Sequence, residues 1–417
     1  MSLVLNSGLA RSITTPAWNN LIGALGDSRL NNAGKDGTSE NIGPLHWACM
    51  MSGQRLSFQT RYNFGVGGYT TADIIANTLS PACASLPSSM FVLCGTNDRA
   101  TLTLSQTIAN IETIVAKLVQ SGKDVYLMAE LPRGDATFTP TYTLTGQQLL
   151  DHLAVRDYIL SMRGRHKVYV CDPWPDCALR TSTSGGILTG ITIDGLHQNT
   201  RGAYLMSKCI AAQIIGRYPV APIFQPVTNA AGSVWLNTNP MLDGSATVPL
   251  GSTGGSGVAG TGWTEGVGST IGGITRVYSK TAEGYQQIVI GGTAASGSDP
   301  QMDLLRQTGL QSVITAGRDV YAVAEMSLAA NNSNLIALQL GIQVTKADTT
   351  NQYVWDGELY TSASLLPTDA ISGVWKTEPI TVPAGATDVR LMIRAYGVTS
   401  SACAGTVVVK SCGLRYA

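Results

Sequence analysis

The first half of the chain alternates short apolar segments with longer amphipathic ones. The apolar segments have the length of strands, and the amphipathic segments between them have the length of helices. This alternation is typical of a parallel sheet wrapped by helices. The predicted strands are Leu21–Leu25, Phe58–Asn63, Met90–Cys94, Val125–Ala129 and Val168–Cys171.

Four helices are predicted between and after these strands. The clearest is Ser105–Gln120, because its apolar residues recur at helical spacing on one face and Ser121-Gly122 follows as a stop signal. The other three predicted helices are Thr71–Leu79, Thr145–Met162 and Thr200–Arg217.

After Tyr218 the apolar period changes from helical to two residues. In 336–344 and in 389–396, apolar residues alternate with small or polar ones, which is the pattern of strands with one buried face. We therefore predict an α/β domain over 1–218, with a short extension at 1–17, then a proline-containing linker at 219–232. An antiparallel β-sandwich is predicted over 233–417, in which Gly251–Gly273 forms a loop or irregular strands.

Composition narrows the range of partners. The 417 residues include 27 Lys plus Arg and 27 Asp plus Glu, and only 13% are charged. Nucleic acid and anionic membranes both need a basic surface, so neither is expected as a partner. The apolar runs are too short to span a bilayer, and the first twenty residues lack the pattern of a signal peptide. A neutral ligand fits this composition better.

Metal and cofactor sites are not expected. No cysteine pair has the C-x-x-C spacing of a zinc site, and the four histidines form no cluster. The eight cysteines are interpreted as buried thiols, although Cys171 with Cys177 and Cys403 with Cys412 are close enough in sequence to bridge. The glycine-rich loop at 65–68 is not followed by Gly-Lys-Ser/Thr, which disfavours a nucleotide site.

Polar side chains follow the first and third predicted strands. Ser28 comes directly after the first strand in Gly26-Asp27-Ser28, and Asn97 follows the third strand in Gly95-Thr96-Asn97-Asp98. Because the carboxyl ends of parallel strands share one edge of the sheet, Ser28 and Asn97 are expected there together. An ordinary turn and a helix cap are the structural alternatives for these two blocks. Asp98 is the residue of the second block that we interpret as structural.

Two further segments complete a candidate site. The spacing in Asp194-Gly195-Leu196-His197 allows the carboxylate to bond one imidazole nitrogen while the other faces a serine hydroxyl. Taken alone, this segment is more typical of a polar loop before a helix. The glycine loop ending at Gly68 allows a backbone amide to approach a ligand.

The order of these four blocks, and their positions at strand ends, resemble those of the SGNH (GDSL-like) hydrolase family. The resemblance covers about residues 18–218. The resemblance implies a flavodoxin-like three-layer α/β/α domain and a serine esterase in which Ser28 is the nucleophile, His197 the general base and Asp194 its orienting group. It also implies an oxyanion hole formed by the Ser28 amide, the Gly68 amide and the Asn97 side chain. Arg29 stands where the GDSL motif has leucine, and we expect it to alter the local surface or substrate contacts.

The second half resembles, loosely, jelly-roll carbohydrate-binding modules. Trp263, Trp355, Trp375 and Tyr360 are candidates for stacking on sugar rings, although tryptophans in a sandwich are more often core or rim residues. An esterase paired with a Gly/Ser/Thr-rich sandwich also looks like tail-fibre or tailspike proteins of bacteriophages. That setting implies a virion-associated or lysis-released protein, otherwise a cytoplasmic one, and a homotrimer by analogy. Its substrate would be an O-acetylated polysaccharide of the bacterial surface.

Two alternatives stay open at this point. A lipase or lysophospholipase of the same family would need an apolar acyl channel, and no lid-like apolar insertion is evident in the sequence. A virion receptor-binding protein with an inactive hydrolase scaffold is the other alternative, against which the complete set of Ser28, Asn97, Asp194 and His197 argues.

Overall fold

The first half of the chain forms a five-stranded parallel sheet with the strand order β2-β1-β3-β4-β5. The computed structural model describes residues 19–31, 43–133, 144, 146–182, 185–219, 235–247, 255–266, 272–294, 299–357 and 365–417. The sheet strands are β1 Leu21–Gly26, β2 Ser57–Gly65, β3 Ser89–Leu93, β4 Asp124–Met128 and β5 Val168–Cys171. All five predicted strands of the parallel sheet are therefore confirmed.

Helices cover both faces of this sheet. They are α1 Ser28–Asn31, α2 Pro44–Met51, α3 Thr71–Asp73, α4 Leu79–Ala84, α5 Leu104–Gln120, α6 Gly146–Ser161, α7 Trp174–Cys177 and α8 Thr200–Ile215. A π-helical turn, Ile74–Thr78, joins α3 to α4, and 3-10 turns occupy Thr96–Ala100 and Leu310–Val313. The predicted helix Thr71–Leu79 is thus longer and less regular than expected.

Alternate residues of the central strands explain the layered arrangement. In β4, Tyr126 and Met128 belong to one apolar core, while Val125 and Leu127 belong to a second core on the opposite face. Successive side chains of a strand point to opposite faces, so a sheet buried on both sides needs this continuous apolar sequence. The predicted three-layer α/β/α architecture is confirmed.

The second half forms two packed β-sheets. One contains four strands in the order β10-β16-β12-β13, and the larger one runs β14-β11-β17-β9-β8-β7-β6, with β15 paired to β11. Every pair is antiparallel except β7 with β8, which is parallel and departs from the predicted pattern. The strands are β6 Ala246–Thr247, β7 Gly255–Ala259, β8 Ile274–Lys280, β9 Gln286–Gly292, β10 Gln301–Gln307, β11 Asp319–Leu328, β12 Leu335–Thr345, β13 Asn351–Asp356, β14 Ile371–Lys376, β15 Ile380–Thr381, β16 Asp388–Gly397 and β17 Gly405–Tyr416.

Helix α2 connects the two halves. It packs against α8 on one side and against β14 of the sandwich on the other, so that one apolar core continues from the parallel sheet into the sandwich. The Gln54 side-chain amide donates to the Val374 carbonyl (2.8 Å), and His46 lies 2.9 Å from the Asp356 carboxylate. The predicted linker falls mostly on 220–234, outside the described residues, and the domain boundaries stay a prediction.

The structure also shows the state of the cysteines and the length of the helices. All eight cysteines are free thiols, and six of them are buried. Neither Cys171 with Cys177 nor Cys403 with Cys412 is bridged. Among the residues that the structure describes, each helix is too short or too polar to cross a lipid bilayer.

Candidate active site

Ser28 lies at the carboxyl edge of the parallel sheet, where the chain turns from β1 into α1. The turn begins at Gly26, where a Cβ atom would stand 2.0 Å from the Leu93 carbonyl oxygen of the neighbouring strand. Glycine is therefore required at this position, because any side chain would force β1 and β3 apart. This close approach explains the glycine two residues before the serine.

His197 contacts Ser28 with one ring nitrogen and Asp194 with the other. Its Nε2 is 2.8 Å from the Ser28 hydroxyl oxygen, and its Nδ1 is 2.6 Å from Asp194 Oδ2. The structure thus brings together a hydroxyl, an imidazole and a carboxylate that are separated by up to 169 positions in the sequence. A serine whose hydroxyl faces an oriented imidazole can lose its proton to that ring as it attacks an electrophile.

The second oxygen of Asp194 fixes the carboxylate. Asp194 Oδ1 accepts the backbone N–H groups of Leu196 (2.9 Å) and His197 (2.8 Å), while Oδ2 faces the imidazole. Burial alone would raise the pKa of Asp194, but these hydrogen bonds outweigh it and hold the pKa below its usual value. Asp194 is therefore ionised at neutral pH and favours the proton on Nδ1 of His197.

The loop that carries Asp194 and His197 is closed by backbone hydrogen bonds. Thr192 and Gln198 form an isolated antiparallel bridge, and Ile193 N donates to His197 O (2.8 Å). The Asn199 side chain then accepts from Gly202 N and caps α8. The loop is held at both ends, which limits the positions that the imidazole can take.

Asn97 and Gly68 lie on neighbouring loops of the same sheet edge. The Asn97 side-chain amide donates to the Tyr69 carbonyl (2.9 Å), which ties the loop after β3 to the glycine loop after β2. That glycine loop starts beside the nucleophile turn, since Val66 N donates to Gly26 O (3.1 Å). Gly68 is exposed and has a φ of 77°, a conformation that glycine adopts readily. The oxyanion role of both residues stays a prediction.

Asp98 has a structural role. Its carboxylate is buried and accepts the backbone N–H (2.8 Å) and the hydroxyl (2.5 Å) of Thr71, the first residue of α3. Asp98 therefore fixes the start of the helix that follows the glycine loop. The sequence alternative was that Asp98 caps the helix that follows it in the chain; in the structure it contacts the start of α3 instead.

The expectation for Arg29 is wrong. Its side chain has no exposed surface and so changes neither the protein surface nor the substrate contacts. Instead it is paired with the buried carboxylates of Asp27 and Glu130. Glu130 and Gln198, a second buried residue that contacts this turn, were not among the predicted site residues. Their only sequence signal was a polar residue directly after a predicted strand or after His197.

The four sandwich aromatics differ in exposure. Trp263 and Trp375 are each 2% exposed, and this burial in the core contradicts the prediction that they stack on sugars. Trp355 is partly exposed on β13, where its ring lies against Gly341 and nearly parallel to the ring of Tyr353. Tyr360 lies outside the described residues.

A metal site needs several ligating side chains close together. Within the described parts of the chain, no three His, Cys, Asp or Glu side chains come together in a way that could hold a metal ion.

Comparisons with known proteins give structural neighbours only. No protein-family model and no curated protein matches the chain. A GDSL-like lipase from Bacteroides thetaiotaomicron is 15% identical, covers 47% of this chain and 87% of its own, and has a TM-score of 0.36. A carbohydrate esterase of family 3 from Talaromyces cellulolyticus is 17% identical over 47% of this chain and 96% of its own, with a TM-score of 0.34.

A third neighbour is a psychrotrophic esterase from Pseudoalteromonas sp., 14% identical over 47% of this chain and 97% of its own, with a TM-score of 0.35. These solved structures are esterases and a lipase by description. At such TM-scores and identities, the likeness carries nothing about the activity of this chain, which has to be inferred from the geometry of the site.

Proposed function

We propose that this chain is a serine esterase that removes O-acetyl groups from a polysaccharide. The observation that carries the proposal is the hydrogen-bonded series from Ser28 Oγ through His197 to Asp194, at 2.8 and 2.6 Å. These distances lie within the range that proton transfer to a general base requires. The series stands at the carboxyl edge of the sheet, where ligands of open α/β folds bind.

The proposed reaction has two halves. Ser28 Oγ attacks the ester carbonyl while His197 Nε2 takes the hydroxyl proton, and the imidazolium is stabilised by the Asp194 carboxylate. His197 then returns this proton to the leaving alcohol, and an acetyl-enzyme remains on Ser28. In the second half, water gives its proton to His197 and attacks the acyl carbonyl, so that acetate leaves and Ser28 regains its proton.

The negative charge on the tetrahedral intermediate needs donors that are already in place. We assign this role to the backbone amides of Ser28 and Gly68 and to the side-chain amide of Asn97. Asn97 gives one N–H to the Tyr69 carbonyl, which orients the group and leaves its second N–H for the substrate. Donors fixed in this way cost no reorganisation when the charge develops.

A polysaccharide substrate is supported by the sandwich. Tyr353 is 47% exposed and its ring lies nearly parallel to that of Trp355, with centroids 6.2 Å apart. Flat aromatic surfaces of this kind suit the apolar faces of sugar rings. Together with the low charge and the abundance of Gly, Ser and Thr, this supports a setting in a bacteriophage tail and a glycan of the bacterial surface.

The test is acetate release from a panel of O-acetylated glycans. Wild type is expected to release acetate, and Ser28→Ala is expected to release none. Ser161→Ala, an exposed serine at the end of α6, is the matched control and should behave as wild type. Undiminished hydrolysis by Ser28→Ala would refute the nucleophile assignment, and no release from any ester by wild type would refute the esterase.

One observation favours a second candidate, a lipase acting on longer acyl chains. Ile193, next to Asp194, is 62% exposed and offers an apolar surface beside the triad. A lipase would hydrolyse nitrophenyl esters of long acids faster than nitrophenyl acetate, and Ile193→Ser would reduce that preference. An acetylesterase would show the opposite order of rates.

A further inference from the structure

The residue that follows the nucleophile, Arg29, has a fully buried charged side chain. Two guanidinium nitrogens of Arg29, Nε and Nη2, donate to the two oxygens of Asp27 at 2.9 and 2.7 Å. Its third nitrogen, Nη1, donates to Glu130 Oε2 at 2.8 Å. All three side chains have no exposed surface. Arg29 therefore joins the end of β1 to the segment after β4.

Arg29 and Glu130 are charged in the folded protein. Burial would raise the pKa of Glu130, but the nearby positive charge of Arg29 outweighs it and holds that pKa below its usual value. Burial would likewise lower the pKa of Arg29, and the two carboxylates raise it instead. A bidentate pair between guanidinium and carboxylate has a fixed, planar geometry, so it determines direction as well as distance.

A second hydrogen bond ties the same residue to the histidine loop. The side-chain amide of Gln198 donates to the Arg29 carbonyl at 2.6 Å, and Gln198 is 6% exposed. The hydrogen bond between Gln198 and Arg29 is adjacent to the one between His197 and Ser28, because Gln198 follows His197 and Arg29 follows Ser28 in the sequence. The separation of hydroxyl and imidazole is therefore set partly by an adjacent, buried hydrogen bond.

We propose that Arg29 is a positioning residue, which holds the Ser28 turn in register with His197 through Glu130 on one side and Gln198 on the other. The inference rests on the proposed esterase function. Arg29 does not reach the substrate, because its side chain is fully buried and all three of its guanidinium nitrogens are occupied by Asp27 and Glu130. It acts by restricting where the Ser28 hydroxyl can lie.

The rate of the reaction depends on the exact position of the Ser28 hydroxyl. Over the described residues 28–31, the serine turn is anchored by the buried Leu30 side chain and by the Asn63 amide, which donates to the Leu30 carbonyl (2.8 Å). Neither contact reaches the Arg29 guanidinium that pairs with Glu130. A displacement of about 1 Å at a reacting atom can cost about a hundredfold in rate. A buried ion pair tolerates less displacement than an apolar contact, because its energy depends on direction.

The test uses variants that keep the volume of the buried cluster. Glu130→Gln removes one charge but keeps an acceptor for Arg29. Gln198→Met removes the hydrogen bond from residue 198 to the Arg29 carbonyl. The triple variant Asp27→Asn, Arg29→Met, Glu130→Met replaces the cluster with neutral groups of similar size, and such replacements are often well tolerated in folding. Glu265→Gln is the matched control, since Glu265 forms a buried pair with Arg276 in the sandwich, 2.6 Å apart.

Two rates are measured for each protein, after titration of the reactive serine. The first is the steady-state hydrolysis of nitrophenyl acetate, from which kcat per titrated site and KM are obtained. The other is the rate constant for phosphonylation of Ser28 by a fluorophosphonate, a reaction that needs the serine and the histidine aligned but no acyl pocket. For Glu130→Gln, Gln198→Met and the triple variant, kcat and the phosphonylation rate are expected to fall together by about tenfold to a hundredfold, with KM unchanged.

A purely structural role would give a different result. It would lower the melting temperature or the titrated fraction and leave both rates per site at the wild-type value, and a folded triple variant with wild-type rates would overturn the inference. An equal loss in Glu265→Gln would overturn it as well. A wild type that reacts with neither the ester nor the fluorophosphonate would refute the proposed function and this inference together, because there would be no activated serine to position.

Discussion

Replacing Asp194 with asparagine should disable the site by reversing the tautomer of His197. The Oδ1 atom of Asp194 accepts two backbone N–H groups, from Leu196 and His197. An asparagine must keep its oxygen at this position, because an amide nitrogen there would meet two donors. Its –NH₂ group then faces Nδ1 of the imidazole, which has to present a lone pair, so the ring proton moves to Nε2.

In that tautomer His197 cannot accept the proton of Ser28. The imidazolium that forms during attack would also lose its counter-charge and meet a donor instead. Related triads lose about 10⁴-fold in kcat from this change. Because the His197 and Asp194 side chains are 21% and 29% exposed, water can replace part of the lost interaction. We therefore expect a loss of about 10³- to 10⁴-fold, which corresponds to about 4–5.5 kcal/mol in activation free energy.

The assay is kcat on nitrophenyl acetate at pH 7, with thermal unfolding to show that the variant is folded. Asp194→Ala is the matched control, since it removes the carboxylate without forcing a tautomer, and its loss should not exceed that of the asparagine variant. Retention of more than about a tenth of wild-type kcat by a folded Asp194→Asn would refute the tautomer argument.

The remaining predictions concern other parts of the molecule. Asn97→Ala should lower kcat by about 10²- to 10³-fold in the same assay, and full activity would exclude it from the oxyanion hole. Burial lowers the pKa of His46, but the carboxylates of Asp356 and Glu378 raise it to above its usual value. The resulting stabilisation is complete below about pH 6.5 and is lost as pH rises through the folded pKa. Urea unfolding at low and high pH should show this loss in wild type and not in His46→Gln. Trp355→Ala should weaken retention on an immobilised acetylated glycan while leaving kcat on nitrophenyl acetate unchanged, and unaltered retention would exclude Trp355 from glycan binding.

The parallel sheet could be predicted from the sequence because its strands are buried on both faces. A segment such as Val125–Ala129 has to be apolar throughout, so its position was predicted to within about one residue of β4. Helix α2 was missed for the same physical reason. Six of its eight residues are buried between α8 and the sandwich, so it lacks the polar face that a periodicity argument needs.

The residues of the candidate triad could be found because Ser28 closely follows a strand, Asp194-Gly195-Leu196-His197 closely precedes a helix, and the order of the four blocks resembles that of a known family. The sandwich aromatics could not be sorted in this way. Trp375 on β14 and Trp355 on β13 differ in which face of a strand they occupy, and that depends on register and on neighbouring elements. Trp263 is buried in the turn segment after β7. Trp355 is partly exposed: its ring lies on the sheet over Gly341, where any side chain would collide with it, and the Arg394 guanidinium lies 4.3 Å from the ring centroid.

Arg29 shows where residue type misleads most. An arginine next to a nucleophile suggests an exposed group that contacts substrate, since arginine is seldom buried unless it is paired. Its partner Glu130 is 101 residues away and follows a different strand, so no local pattern connects the two. The sheet topology determines this pairing, because the order β1-β3-β4 brings the ends of β1 and β4 to one edge of the sheet with β3 between them. A long side chain such as arginine can bridge that distance, and the smaller leucine of the GDSL motif would leave Glu130 without this partner.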